Sequence, residues 1–188
     1  ALGATRARLE QASEAIRRLL KPAVTPAGAQ SPAAGAIPFL TPNASFYRID
    51  TAFVPPVVDP DAWRLRVVGM VEHEIELSLD DLLAKPMQEA IVTLACVSNP
   101  VGGELVGNAV WTGWPIRELL ALAKPLPGAD MVLSRSVDNF TASTPLSALT
   151  DDRSSLIAVG MNGEPLPVEH GFPARLVVPG LYGYVSAT

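Results

Sequence analysis

The chemistry of this chain centres first on one sulfur. Cys96 closes the apolar run Glu89–Cys96 and opens the loop Val97-Ser-Asn-Pro-Val-Gly-Gly103. A cysteine so placed is either a small buried hydrophobe or a thiolate at a strand end, able to ligate a soft metal or act as a nucleophile. Pro100, Gly102 and Gly103 let the following backbone turn tightly and approach a ligand closely. A second group lies in Leu166-Pro-Val-Glu-His-Gly-Phe-Pro-Ala-Arg175, ahead of a strand. There Arg175 could grip a phosphate with two parallel N–H bonds and His170 could donate to an oxyanion. The plainer alternative is that Arg175 anchors its own loop through Glu169. In the tail, Gly180, Gly183, Ser186 and Thr188 could bring N–H and hydroxyl groups to an anion, although no P-loop or G-x-G-x-x-G fingerprint is present. Thr41-Pro-Asn-Ala-Ser-Phe-Tyr-Arg48 reads on its own as packing residues with a surface arginine. His73 stands among Glu72, Glu74 and Glu76, which reads as a solvated hairpin and not a metal site. A Cys96–His170 hydrolase pair is conceivable, but no nucleophile-on-helix arrangement supports it.

Composition narrows these options. One cysteine in 188 residues excludes a disulfide framework and any multi-cysteine zinc or iron–sulfur site, and two histidines exclude a His-rich cage. A net charge of −5 argues against a nucleic-acid surface. No apolar stretch approaches the ~20 residues of a membrane helix. Residues 1–21 carry Arg6, Arg8, Arg17, Arg18 and Lys21 against Glu10 and Glu14, a net of +3, so the remainder holds −8.

The elements that must position the candidates follow from periodicity. Leu2, Leu9, Ile16, Leu19 and Leu20 share one face of an amino-terminal helix, read as a surface helix or as a segment beside a membrane anchor. Residues 21–38 are rich in Pro, Ala and Gly and read as a linker, which sets residues 1–38 apart from a domain at 39–188. Within that domain, strands are expected at Trp63–Val71, Ile75–Leu77, Glu89–Cys96, Met131–Ser136, Leu156–Met161 and Arg175–Val178. Ser78 should cap a short helix running to about Ala84, and Pro115–Leu122 should form another. Met161-Asn-Gly-Glu164 carries a strong hairpin signal. The class is α+β with mixed β-sheets and short helices, without a βαβ alternation.

Five segments taken together resemble the sulfite oxidase family's molybdopterin-binding domain, in its bacterial membrane-associated form. They are TPNASFYR (41–48), WRLRVVGMV (63–71), TLACVSNPVGGELVGNAVWTGWPIRELL (93–120), SRSVD (134–138) and MNGEPLPVEHGFPARLVVPGLYGYVSAT (161–188), in the family's order. The resemblance implies a molybdenum–molybdopterin cofactor whose metal takes one protein thiolate, mapping onto Cys96. It implies cofactor contacts at Asn43, Tyr47, Arg48, Ser136, His170, Arg175, Ser186, Ala187 and Thr188. It also implies two-electron oxygen-atom transfer on a small substrate, either a sulfite-type oxyanion or a sulfoxide. The electrons would pass to an external carrier, haem or membrane subunit, at a membrane-associated or extracytoplasmic location with the anchor upstream. A non-catalytic or cofactor-free module on the same fold is the competing expectation. Two departures stand out. Val97-Ser-Asn-Pro-Val follows the cysteine where sulfite-oxidising members carry arginines, and the sequence stops at Thr188 where the family's motif continues, so a truncated domain is expected.

Overall fold

The apolar alternation at the centre of the chain builds an antiparallel sheet against which everything else is arranged. A computed structural model describes residues 2–50 and 54–186. In chain order they form α1 (Leu2–Arg17), β1 (Leu65–Val67), β2 (Ile75–Leu77), α2 (Leu79–Leu83), β3 (Gln88–Ala95), β4 (Val106–Pro115) and α3 (Ile116–Ala123). Then come β5 (Met131–Arg135), β6 (Thr141–Pro145), α4 (Leu146–Thr150), β7 (Leu156–Met161), β8 (Glu164–Pro165) and β9 (Arg175–Val177). The main sheet has five strands in the order β3-β4-β7-β8, with β9 also on β7, and β1–β2 and β5–β6 are separate two-stranded ribbons. Every pairing among the described strands is antiparallel. The α+β class with short helices is what the residues form.

β7 is buried along its whole length, so it reads as a continuous apolar run and not as an alternation. One of its edges is taken by β4. The other is shared by β8, opposite Gly160 and Met161, and β9, opposite Leu156 to Ala158. The chain between β8 and β9 must therefore arch away from the sheet, and this arch carries His170. Tight turning at Asn162 and Gly163, both at positive φ, closes the β7–β8 hairpin as the Asn-Gly signal predicts. The helix start at Ser78 is also as expected. Ser78 Oγ accepts from the Asp81 N–H while the Asp81 carboxylate accepts from the Ser78 N–H, a reciprocal cap.

Three differences from the sequence reading have physical causes. The Trp63–Val71 strand shortens to Leu65–Val67, because Gly69 takes a φ of +98° and the chain bends there. β4, the longest strand, is not evident from propensity, since Gly107, Gly113 and Pro115 weaken its pattern. Gly113 sits at a bulge against β7, where a Cβ would lie 2.3 Å from the Ile157 carbonyl oxygen. Lastly, α1 is docked. Ile16 is fully buried in the same core as Trp111 and Val159, and Arg8 pairs with Asp59 at 2.5 Å and Asp61 at 3.2 Å.

Candidate cofactor-binding cleft

A cleft of about 180 Å³ opens where β3 ends. Its walls come from the Phe46–Asp50 segment, Pro55 and Pro56, Leu94 and Cys96, the β5–β6 turn, the Val168–Gly171 arch, Arg175 and the tail around Gly183 to Ser186. Cys96 is half-buried at this wall. Its N–H donates to Leu105 O at 2.9 Å, and its carbonyl accepts from the Asn99 N–H at 3.0 Å. The Asn99 side chain in turn accepts from the Leu105 N–H at 2.8 Å. Loop 97–103 is thus closed on itself, and the cysteine's backbone is fixed on both sides. Its Sγ lies 3.0 Å from Ser98 Oγ.

Arg175, the first residue of β9, lines the same cleft. Nη1 donates to His170 O at 3.1 Å and Nη2 to Ser186 O at 3.3 Å, while the guanidinium lies 5.3 Å from the centre of the Trp111 ring. Nε is buried and has no partner. Among the described residues no carboxylate forms an ion pair with it, so the loop-anchoring pairing with Glu169 is not what the residues do. Burial lowers its pKa from 12.5 to about 10. The side chain is therefore a cation at neutral pH, held out of water without a counter-ion. Next to it, the buried Ser186 Oγ is also unpartnered. Such orphaned donors are rare in folded proteins and call for a ligand or ordered water.

His170 enters the cleft from the arch. Its Nε2 lies 3.2 Å from Asn43 O. A carbonyl can only accept, so Nε2 carries the hydrogen, and the neutral ring keeps its lone pair on Nδ1. Burial, reinforced by the nearby Arg175 charge, lowers its pKa below 6.5 against the opposing pull of the Asn43 carbonyl. The ring meets Phe46 edge-on at 5.6 Å. Tyr47 projects its hydroxyl beneath Gly183, where a Cβ would come within 2.4 Å of the phenol oxygen. Burial raises the Tyr47 pKa, so the phenol stays protonated. Ser136 Oγ donates to Phe140 O at 3.3 Å, which leaves its lone pairs for a ligand. Arg48 lines the cleft with Nε closed against the Asp50 carboxylate.

The sites named from the sequence therefore separate. Cys96, Tyr47, Arg48, Ser136, His170, Arg175 and Ser186 line one cleft. The side chain of Asn43 does not. Its Nδ2 donates to Met161 O at 3.1 Å and to Glu164 Oε2 at 3.2 Å, and its Oδ1 accepts from Asn162 Nδ2 at 2.8 Å. Asn43 thus holds the β7–β8 hairpin and reaches the cleft only through its backbone carbonyl. Ala187 and Thr188 lie outside the described residues. Cys96 and His170 share no hydrogen bond, each being engaged elsewhere, so a hydrolase dyad is not formed. His73 is exposed on its hairpin, and no metal-holding cluster of His, Cys, Asp or Glu occurs among the described residues. Asp50, Asp138 and Tyr184 also line the cleft without having been singled out, and Glu169, named only as a partner for Arg175, lines it with them. No spacing signal marks them, because they are gathered only by the fold.

One thiol at the wall, a buried guanidinium nitrogen without a partner and a buried hydroxyl without one define a cleft suited to an anionic ligand beside a cysteine. Comparison with known proteins gives that class its family. The profile described as the oxidoreductase molybdopterin binding domain matches residues 52–188, and the chain belongs to that family. The chain is 35% identical over 162 residues to the Bacillus subtilis protein named uncharacterized oxidoreductase YuiH, covering 84% of this chain and 78% of that protein. It is 36% identical over 169 residues to mitochondrial sulfite oxidase of Homo sapiens, covering 77% of this chain and 31% of the oxidase. The chain thus spans about a third of the sulfite oxidases it matches. Among solved structures, the sulfane dehydrogenase SoxCD of Paracoccus pantotrophus shares the fold at a TM-score of 0.74 and 23% identity, over 92% of this chain and 50% of that one. The five-motif resemblance to the sulfite oxidase family therefore stands.

Proposed function

We propose that this chain is the cofactor-bearing domain of a molybdenum oxidoreductase that moves one oxygen atom and two electrons to or from a small substrate. The observation that carries the reading is the pair of orphaned buried donors, Arg175 Nε and Ser186 Oγ, in one cleft with the only cysteine. When bound, the molybdenum–molybdopterin group supplies a metal that exchanges an oxygen atom together with two electrons. The chain's residues supply the rest. Cys96 offers a thiolate to the metal, a soft donor suited to a centre already carrying sulfur. The Ser98 hydroxyl, 3.0 Å away, can donate to that thiolate and hold it in place. Arg175 and Ser186 would take the anionic end of the cofactor, where a charge-assisted bond gives Arg175 the partner it lacks. His170, through Nδ1, and Tyr47 and Ser136, through their hydroxyls, would hydrogen-bond the pterin. Phe46, Leu94 and Phe140 keep water off the same wall. Arg48 lines the same cleft.

Electrons would enter or leave through an external carrier, haem or membrane subunit. Membrane association is part of this proposal; among the described residues no helix is long and apolar enough to cross a membrane. The test is to purify the chain from a host that makes the cofactor and to measure molybdenum and released pterin. Near-stoichiometric amounts of both, with viologen-driven oxygen-atom removal from an oxo substrate, support the proposal. A chain from such a host with neither metal nor pterin contradicts it.

A further inference from the structure

We propose that Ser98 tunes the reduction potential of the metal through the Cys96 sulfur. This rests on the molybdenum reading above and adds to it a positioning residue, one that acts through the cysteine. The loop after β3 is built to hold one hydroxyl beside one sulfur. The Asn99 N–H donates to Cys96 O at 3.0 Å, which makes 96–99 a β-turn with Ser98 at its third position. Pro100 biases Asn99 toward extended backbone. The Asn99 side chain, accepting from the Leu105 N–H at 2.8 Å, ties the turn to the chain returning toward β4. Gly103 closes the loop, because a Cβ there would lie 2.6 Å from Asn99 Oδ1 and 2.8 Å from Pro100 Cδ. In this fixed turn Ser98 Oγ stands 3.0 Å from Cys96 Sγ.

Folding does not ask for this hydroxyl. Ser98 is exposed and caps no helix, and among the described residues its Oγ bonds no backbone group. A serine in a turn ordinarily spends its hydroxyl on nearby backbone. Here it is spent on sulfur. A thiol can donate or accept in this pair, whereas a thiolate can only accept, so beside a metal-bound thiolate the Ser98 O–H is the donor. Such a donor draws charge from the sulfur. Reduction of the metal places more negative charge on that sulfur, so the bond is stronger in the reduced state and the potential rises. The same withdrawal lowers the energy of the sulfur lone pairs, and the sulfur-to-metal charge-transfer band moves to higher energy.

The experiment compares the molybdenum-loaded parent chain with Ser98→Ala, Ser98→Thr and Val97→Ala. Potentials come from redox titration followed by electron paramagnetic resonance of the one-electron-reduced metal, and the charge-transfer band from absorption spectra. In Ser98→Ala the equilibrium constant for one-electron reduction should fall roughly three- to tenfold, the upper figure being about 59 mV. The band should shift to lower energy with it. Ser98→Thr keeps the hydroxyl and should stay with the parent in both readouts. Val97→Ala changes a neighbour in the same turn, 59% exposed, without removing the hydroxyl, and should also match the parent. Cofactor-free Ser98→Ala should melt within about 2 °C of the parent, as befits an exposed side chain. A potential and band unmoved in Ser98→Ala, or moved as far in Ser98→Thr or Val97→Ala, overturn the proposal and leave the molybdenum reading standing. A parent chain that never takes up molybdenum sinks that reading, and this proposal with it.

Discussion

Arg175→Met separates the cost of holding a cation ready from the benefit of using it. In the cofactor-free chain the buried guanidinium is a burden, since its pKa falls from 12.5 to about 10. At ~1.4 kcal/mol per unit, that corresponds to roughly 3 kcal/mol of stability forgone at neutral pH. Replacing it with an unbranched apolar side chain removes this cost. The same change deletes the bonds to His170 O and Ser186 O and the contact with Trp111. Those losses amount to about 1–3 kcal/mol for the carbonyls and ~0.5–2 kcal/mol for the ring. The two sides nearly cancel, so the cofactor-free variant should melt within about 6 °C of the parent, taking 2–4 °C per kcal/mol for a chain of this size. Cofactor retention has no such compensation. Losing one charge-assisted bond of about 1.5–3 kcal/mol lowers affinity roughly 10- to 150-fold. The assay pairs thermal unfolding of cofactor-free protein with molybdenum content after gel filtration of loaded protein. A variant that loses more than ~4 kcal/mol of stability yet keeps full molybdenum would show that Arg175 is a structural residue, and the argument from its orphaned Nε would fail.

Other outcomes follow from the same geometry. Gly183→Ala drives a Cβ into the Tyr47 hydroxyl and should cost about 1–3 kcal/mol by overpacking; Tyr47→Phe should recover part of that loss in a double-mutant cycle, and strict additivity would contradict the contact. Asn43→Ala should lower stability by about 1–3 kcal/mol, because it takes a donor from Met161 O and leaves the Asn162 amide nitrogen with Thr41 O alone. Its cofactor loss should be smaller than that of Arg175→Met, and the reverse order would return Asn43 to the ligand set. Burial holds the folded His170 pKa below the unfolded 6.5, so between those values the unfolded chain binds more protons and stability falls as pH drops through that window. Urea unfolding from pH 7.5 to 5 should therefore show a shallower acid loss in His170→Gln than in the parent, and identical slopes would refute the shift.

The sequence exposed the site better than it exposed the frame. Cys96 and His170 are rare residue types in this chain, and with Arg175 they stand in or beside Gly- and Pro-shaped loops, so that local chemistry survives without any knowledge of the sheet. The Ser78 cap and the Asn162-Gly163 turn are equally local and equally legible. β4 was hidden because Gly107 and Gly113 are there for contacts with Phe46 and β7, a tertiary demand that contradicts strand propensity. The hairpin contacts of Asn43 were hidden for a related reason. Its neighbours in sequence, Tyr47 and Arg48, do reach the cleft, but its amide is claimed by a hairpin more than a hundred residues away. The docking of α1 through Ile16 could not be read from a helix whose apolar face suits a surface as well as a core.

The central claim is that Cys96 gives its sulfur to molybdenum held in this cleft. Molybdenum K-edge absorption on the loaded parent chain and on Cys96→Ser tests it most directly, because the sulfur shell is counted independently of turnover. The account predicts one sulfur ligand fewer in Cys96→Ser, with pterin still bound through Arg175 and Ser186. An unchanged sulfur count in that variant would contradict it.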